Sequence, residues 1–203
     1  MLQLNMKQTI AFFDFDGTIT TKDTMFEVIR YQKGSGALYL GFLLLSPLLV
    51  LFKLKLVSSH TMKEIFLRYF FKGTAVAAFR EKCAAFCRER LPALIRPGAL
   101  AAIKEHQEKG HQVVIVTASA QDWVGPWCEK MNITCIATQL EVKNEQLTGN
   151  ILGLNCNGDE KVCRIKNEYD LELFENIFAY GDSSGDKAML AIAGKSQFKP
   201  FRS

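Results

Sequence analysis

The feature that most constrains this chain is the apolar run Ile10-Ala11-Phe12-Phe13, which leads straight into Asp14-Phe15-Asp16-Gly17-Thr18. A short apolar run that stops at a glycine turn reads as a buried strand, expected here over residues 8–13. Any fold that contains it must set two carboxylates at the strand's carboxyl end. Ionised groups held that close raise each other's pKa, so burying the pair is costly unless something positive sits between them. A hard cation such as Mg²⁺ is the natural partner. The pair points to phosphoryl transfer.

The remaining periodicity says what surrounds that strand. Residues 22–96 follow a helical pattern, clearest over 74–91, where Val76, Phe79, Cys83 and Phe86 are spaced for one face. Pro97-Gly98 reads as a break, with a helix over 99–109 stopped by Gly110. Strand and helix then alternate: strands at 112–116, 133–137, 176–180 and 196–199, and helices at 120–131, 159–169 and 187–193. A hairpin (139–142 with 146–152) turns at Lys143-Asn144-Glu145. Such alternation makes a parallel sheet with helices on both faces, and sites in such sheets lie at the carboxyl ends of the strands. The residues expected there are Asp14 and Asp16, Thr117-Ala118-Ser119, and Gly181-Asp182. All suit a phosphate or a metal.

Charge divides along the same line. Residues 22–96 carry 13 Lys/Arg against 5 Asp/Glu, a balance of +8, while the rest of the chain balances at −4. An acidic body beneath a basic insert suits a metal-binding core under a lid that attracts anions. The six cysteines have neither metal-finger nor paired-disulfide spacing, which favours a reducing compartment and a cytoplasmic protein. Residues 1–7 lack the apolar middle of a secretory signal. His60, His106 and His111 fit no ligand spacing, Trp123 and Trp127 read as packing residues, and nothing indicates nucleic acid.

Together, Asp14-Phe15-Asp16-Gly17-Thr18, Thr117-Ala118-Ser119, Lys161 and Gly181-Asp182-Ser183-Ser184-Gly185-Asp186 resemble the haloacid dehalogenase superfamily of phosphohydrolases over nearly the whole chain. Leu147-Thr148-Gly149, Gly158-Asp159-Glu160-Lys161 and the helical insert are similar to its phosphoserine-phosphatase-like branch. The resemblance implies an α/β fold: a Rossmann-like three-layer core with a parallel sheet (1–21 and 97–203) plus an inserted helical cap (22–96). It agrees with the roles that the chemistry suggests. Asp14 is the nucleophile that becomes an aspartyl-phosphate. Asp16 is the general acid. Thr117 and neighbouring N–H groups hold phosphate oxygens, and Lys161 offsets the shared negative charge. Asp182 completes the Mg²⁺ shell with Asp14 and the Asp16 backbone carbonyl, and Asp186 supports it from behind. Taken singly, Lys161 reads as a solvated lysine, Thr117 as a helix cap, Asp182 as a turn residue and Asp186 as an acid near a helix dipole. Jointly they read as a site.

The substrate stays open between a phosphorylated small molecule and a lipid head group. In phosphoserine phosphatases an acid nine positions after the nucleophile and a cap arginine bind the amino acid. Asp23 stands at the first place, Arg68 is the candidate for the second, and Ser119 is a further candidate substrate contact. Residues 34–52 run without a charge between Lys33 and Lys53, long enough for a membrane span. A span would part Asp14 from Thr117, Lys161 and Asp182, and Gly41 and Pro47 interrupt the run. The stretch is expected either to be buried inside the cap or to dip into the inner face of a membrane. The latter is supported by a resemblance to phosphatidylglycerophosphate phosphatases of the same branch. A competing class is a phosphoacceptor receiver domain, which gives Asp16 and the insert no purpose.

Overall fold

The computed structural model describes residues 8–202, so the expectation about residues 1–7 lies outside the described residues. In chain order the elements are β1 (Gln8–Phe13), α1 (Thr24–Lys33), α2 (Ser35–Lys53), α3 (Ser59–Phe71), α4 (Val76–Glu89) and α5 (Pro97–Glu108). Then come β2 (Gln112–Ala120), α6 (Gln121–Lys130), β3 (Thr134–Lys143), β4 (Gln146–Leu152), α7 (Asp159–Glu168), β5 (Phe174–Gly181), α8 (Lys187–Ala191) and β6 (Lys195–Phe198). Among the described residues the strands form one six-stranded sheet in the order β4-β3-β2-β1-β5-β6. Neighbours are parallel except in the β3–β4 hairpin.

Alternation along β1 creates three layers. Ile10 and Phe12 pack with Val114, Val116 and Ala179 against Ile165 of α7 and Met189 of α8. Ala11 and Phe13 face the other way, toward Ile103 of α5 and Trp123 of α6. The chain builds β2 to β4 on one side of β1 before crossing to β5 and β6. β1 therefore borders the crevice where the winding direction reverses.

Three local readings needed correction. Pro97 opens α5 instead of preceding it, because a first-turn residue needs no amide hydrogen. The two strands expected at 133–137 and 139–142 are one continuous strand, β3, which outer-edge pairing with β4 prolongs. Pro47 does not interrupt α2. The Ser46 hydroxyl donates to the Leu43 carbonyl at 2.7 Å, taking the place of the amide that Pro47 lacks.

The four helices α1–α4 lie over the sheet's carboxyl ends and are fastened on three sides. Their entry and exit linkers bond to each other, Thr21 N to Leu94 O and Arg96 N to Ile19 O, both at 2.8 Å. The α3–α4 turn pairs with the hairpin through Gly73 N to Leu147 O at 2.8 Å and Val76 N to Glu145 O at 2.9 Å. On the third side, Phe79 of α4 packs edge-on against Trp123 of α6.

Candidate active site

Strand register assembles the site. Phe13 pairs with Ile115 on one side and Tyr180 on the other, and the Asp14 amide donates to the Tyr180 carbonyl at 2.9 Å. Asp14 thus emerges between the ends of β2 and β5, which carry Thr117 and Asp182. Gly17 turns the chain with a φ of 80°, and a Cβ there would collide with the Asp182 carboxylate. Only glycine lets the turn close over that acid. The turn sets Thr18 so that its hydroxyl lies 3.0 Å from Asp14 Oδ2 and 3.5 Å from Asp182 Oδ1.

Lys161 comes from the first turn of α7 and is fully buried. Its ammonium donates to Asp14 Oδ1 at 2.6 Å, Asp186 Oδ1 at 2.7 Å and the Val116 carbonyl at 2.6 Å, so all three of its protons are used. Burial works against the charge, but Asp14 and Asp186 outweigh it and hold the lysine above its ordinary pKa. Asp186 Oδ2 in turn accepts from the Ser183 amide and hydroxyl, both at 2.9 Å, and from the Asp182 amide at 3.1 Å. With both oxygens committed, Asp186 fixes Lys161 and the loop bearing Asp182.

Asp14 is pushed up to about 7, chiefly by burial, which the Lys161 charge partly offsets and Asp186 reinforces. Asp16 lies apart from this cluster. Its carboxylate accepts from the Thr24 amide at 2.7 Å and from the Ser119 hydroxyl. The Ser119 oxygen is also 2.9 Å from the Thr24 hydroxyl, on which the Trp123 indole donates at 3.1 Å. Burial, with the nearby Asp23, pushes Asp16 up to about 6, keeping a proton available close to neutrality.

The donor set fits a hard cation. Asp14, Asp182 and Asp186 each bring a carboxylate oxygen within 4.8 Å of the others, and oxygen-only ligation is what Mg²⁺ takes. The Asp182 carboxylate also pairs with the Arg202 guanidinium. Asp14 and Asp182 fit as ligands, with Asp186 behind them.

The site opens into a cavity of about 380 Å³. Asp14, Asp16, Thr117 and Ser119 line its floor, and Asp23 and Lys63 reach it from α1's cap and α3. Met25, Phe26, Leu49, Phe52, Met62 and Phe66 make its roof. Asp23 caps α1, accepting from the Met25 amide at 2.9 Å. Ser119 lies on the cavity floor with its hydroxyl engaged by Asp16 and Thr24. Arg68 is a plain correction. It does not line the cavity; its guanidinium bonds Glu64 at 3.0 Å and Asn150 at 2.7 Å on the outside of α3. Lys63 stands in the cavity instead, donating to the Ala118 carbonyl, with Asn155 Oδ1 3.4 Å away. Burial lowers its pKa, and Asp23 and Asp16 pull it back up. Five residues on a helix are about 140° of rotation, so one basic residue facing the site excludes the other.

The model of the haloacid dehalogenase-like hydrolases matches residues 11–191. The chain is 33% identical over 204 residues to protein CicA of Caulobacter vibrioides, covering 98% of this chain and 90% of that protein. It is 28% identical over 193 residues to the probable phosphatase Rv3661 of Mycobacterium tuberculosis, covering 92% and 67%. A phosphoserine phosphatase solved as a phospho-aspartyl intermediate analogue superposes with a TM-score of 0.61 at 21% identity, covering 94% of this chain and 85% of that one. The chain belongs to the haloacid dehalogenase-like hydrolases. Within that family its fold is the one that phosphoserine phosphatases adopt. A receiver-type switch is thereby set aside.

Proposed function

We propose that this hydrolase is a Mg²⁺-dependent phosphatase that hydrolyses phosphomonoesters of a small molecule or lipid head group through an aspartyl-phosphate on Asp14. The observation that carries this reading is the double anchoring of Asp14, with Oδ1 on Lys161 and Oδ2 beside Thr18, on the same cavity as Asp16. An Asp14 oxygen attacks phosphorus as the ester P–O bond breaks, and Asp16 protonates the departing oxygen. Water then attacks the phosphorus of the acyl phosphate. Asp16 takes its proton, inorganic phosphate leaves and Asp14 is restored. The Thr117 oxygen accepts from the Ser119 amide at 2.9 Å, leaving its own proton to donate to a phosphate oxygen. Mg²⁺ held by Asp14, Asp182 and the Asp16 carbonyl would neutralise charge between phosphate and carboxylates.

Free thiols at all six cysteines support a reducing, cytoplasmic setting. Phosphoserine is the second reading, favoured because Asp23 and Lys63 offer the cavity one anion and one cation for an amino acid's ends. A phosphate-release assay comparing phosphoserine with other phosphomonoesters separates the two. Asp14→Asn is expected to abolish turnover of an aryl phosphate while circular dichroism stays native. A purified variant that keeps most of its activity removes Asp14 as nucleophile.

A further inference from the structure

Helix α2 carries no charge between Lys33 and Lys53, yet Leu38 and Gly41 are its only buried residues. A helix apolar on every side ordinarily lies within a large core or a bilayer. Here Phe42, Leu45, Leu48 and Leu49 pack on the cap's core, but Leu43 is 70% exposed and Leu44 and Val50 are each 57% exposed. Leu54 and Leu56 prolong this surface past the helix end, at 63% and 72%. The expectation of a stretch buried inside the cap is therefore overturned, because α1 and α3 cover only one side of it. An apolar surface of this extent marks an interaction site.

We propose that the outer face of α2 docks in the interface of an anionic lipid bilayer, from which the active site draws phosphomonoesters with an apolar body. The docking stands by itself; the substrate class rests on the hydrolytic reading above. Charge chooses the partner. From Val28 to Lys63 the chain has five basic residues and no Asp or Glu, and Lys33, Lys53 and Lys55 bracket the exposed leucines. A second copy would set these lysines against each other in either orientation, whereas anionic head groups neutralise them. A crossing is ruled out: α1 and α3, at the two ends of α2, line the same cavity and so lie on one side. Helix α2 must lie in the plane of the interface.

The same helix links the bilayer to the chemistry. Leu49 and Phe52 line the cavity, and Phe52 is also exposed beside the docking face. An apolar tail can thus remain against α2 while its phosphate reaches Asp14.

Co-sedimentation with vesicles of phosphatidylcholine, alone or mixed equally with phosphatidylglycerol, tests the docking. The wild-type protein should sediment with the mixed vesicles. Leu43→Glu/Val50→Glu should weaken that binding at least about tenfold. Lys53→Ala/Lys55→Ala should weaken it about thirtyfold while leaving the weaker partition to phosphatidylcholine unchanged. Turnover of a soluble aryl phosphate should be the same in all three proteins. Wild-type protein remaining in the supernatant, variants sedimenting like wild type, or a lipid-free dimer dissociated by Leu43→Glu/Val50→Glu would each overturn the docking. For the substrate class, kcat/KM for octyl phosphate should exceed that for ethyl phosphate by about tenfold or more. Equal values overturn it. Loss of all phosphatase activity with vesicle binding intact would sink the hydrolytic reading alone.

Discussion

At the scale of single residues, the site separates two carboxylates that share a turn by giving them different company. Asp14 meets a fixed ammonium and faces the place for a cation; Asp16 meets an amide, a hydroxyl and Asp23. On the proposed reading, one attacks and the other holds a proton. Asp16→Asn should therefore slow steady-state turnover by about 10²–10⁴-fold. With an aryl phosphate, whose leaving group needs little protonation, a phosphorylated protein should accumulate in acid-quenched samples. Absence of any phosphoprotein, with turnover equally low, would refute this division of labour. The charged members of the Lys161 network, Asp14, Lys161 and Asp186, were legible in the sequence through their joint motif, whereas the Val116 carbonyl and the Ser183 contacts were not. Nor were Lys63 and Thr24. Which of two lysine-like residues on α3 faces inward depends on the rotation of a helix packed against α1 and α2, and the sequence pattern of α3 alone does not fix that rotation.

At the scale of elements, the cap and the hairpin behave as one unit. Gly149 in β4 has a φ of 82°, and a Cβ there would stand 2.5 Å from the Arg68 Cα, so β4 and α3 touch through backbone. Gly149→Ala should cost about 1–3 kcal/mol through strain and lost contact. Thermal unfolding measures this; an unchanged Tm would show that the junction yields freely. The sequence announced the hairpin through Lys143-Asn144-Glu145, but not its docking on the α3–α4 turn, which is a pairing between segments about seventy residues apart. Helix α2 was legible as an apolar run, but its continuity and its degree of exposure were not. Its continuity through Pro47 depends on one hydroxyl, Ser46, and its exposure depends on how few helices the insert supplies to cover it.

At the scale of the whole molecule, the layers followed from alternation, but the strand order did not, and the structure supplies it: β1 lies between β2 and β5, both of which bring polar tips to it. The site makes a stability claim as well. Asp14 is pushed up to about 7, so the native chain binds more protons than the unfolded one between about pH 4 and 7. Its contribution thus falls as pH rises through that window. Without metal, the Tm of Asp14→Asn minus that of wild type should grow from pH 4 to pH 7.5; a flat difference would mean that the carboxylate is not strained. Saturating Mg²⁺ should reverse the trend for wild type, raising its Tm by about 5–10 °C at a hundredfold excess over Kd. No shift, or an equal shift in Asp14→Asn/Asp182→Asn, would argue against the acid pair as the metal site.

The roof over the reaction centre is tied down at three places. With its linkers cross-bonded, its turn sewn to the hairpin and α4 seated on Trp123, a swing large enough to admit a molecule would break contacts on three fronts at once. Phe52 lines the cavity and is also exposed, so the cavity meets solvent beside its ring. Opening there needs a ring to rotate, a matter of nanoseconds, where a lid would take microseconds or longer. On the proposed reading, release of phosphate would then be paced by the hold of the acid cluster and Lys161, and not by the architecture above them.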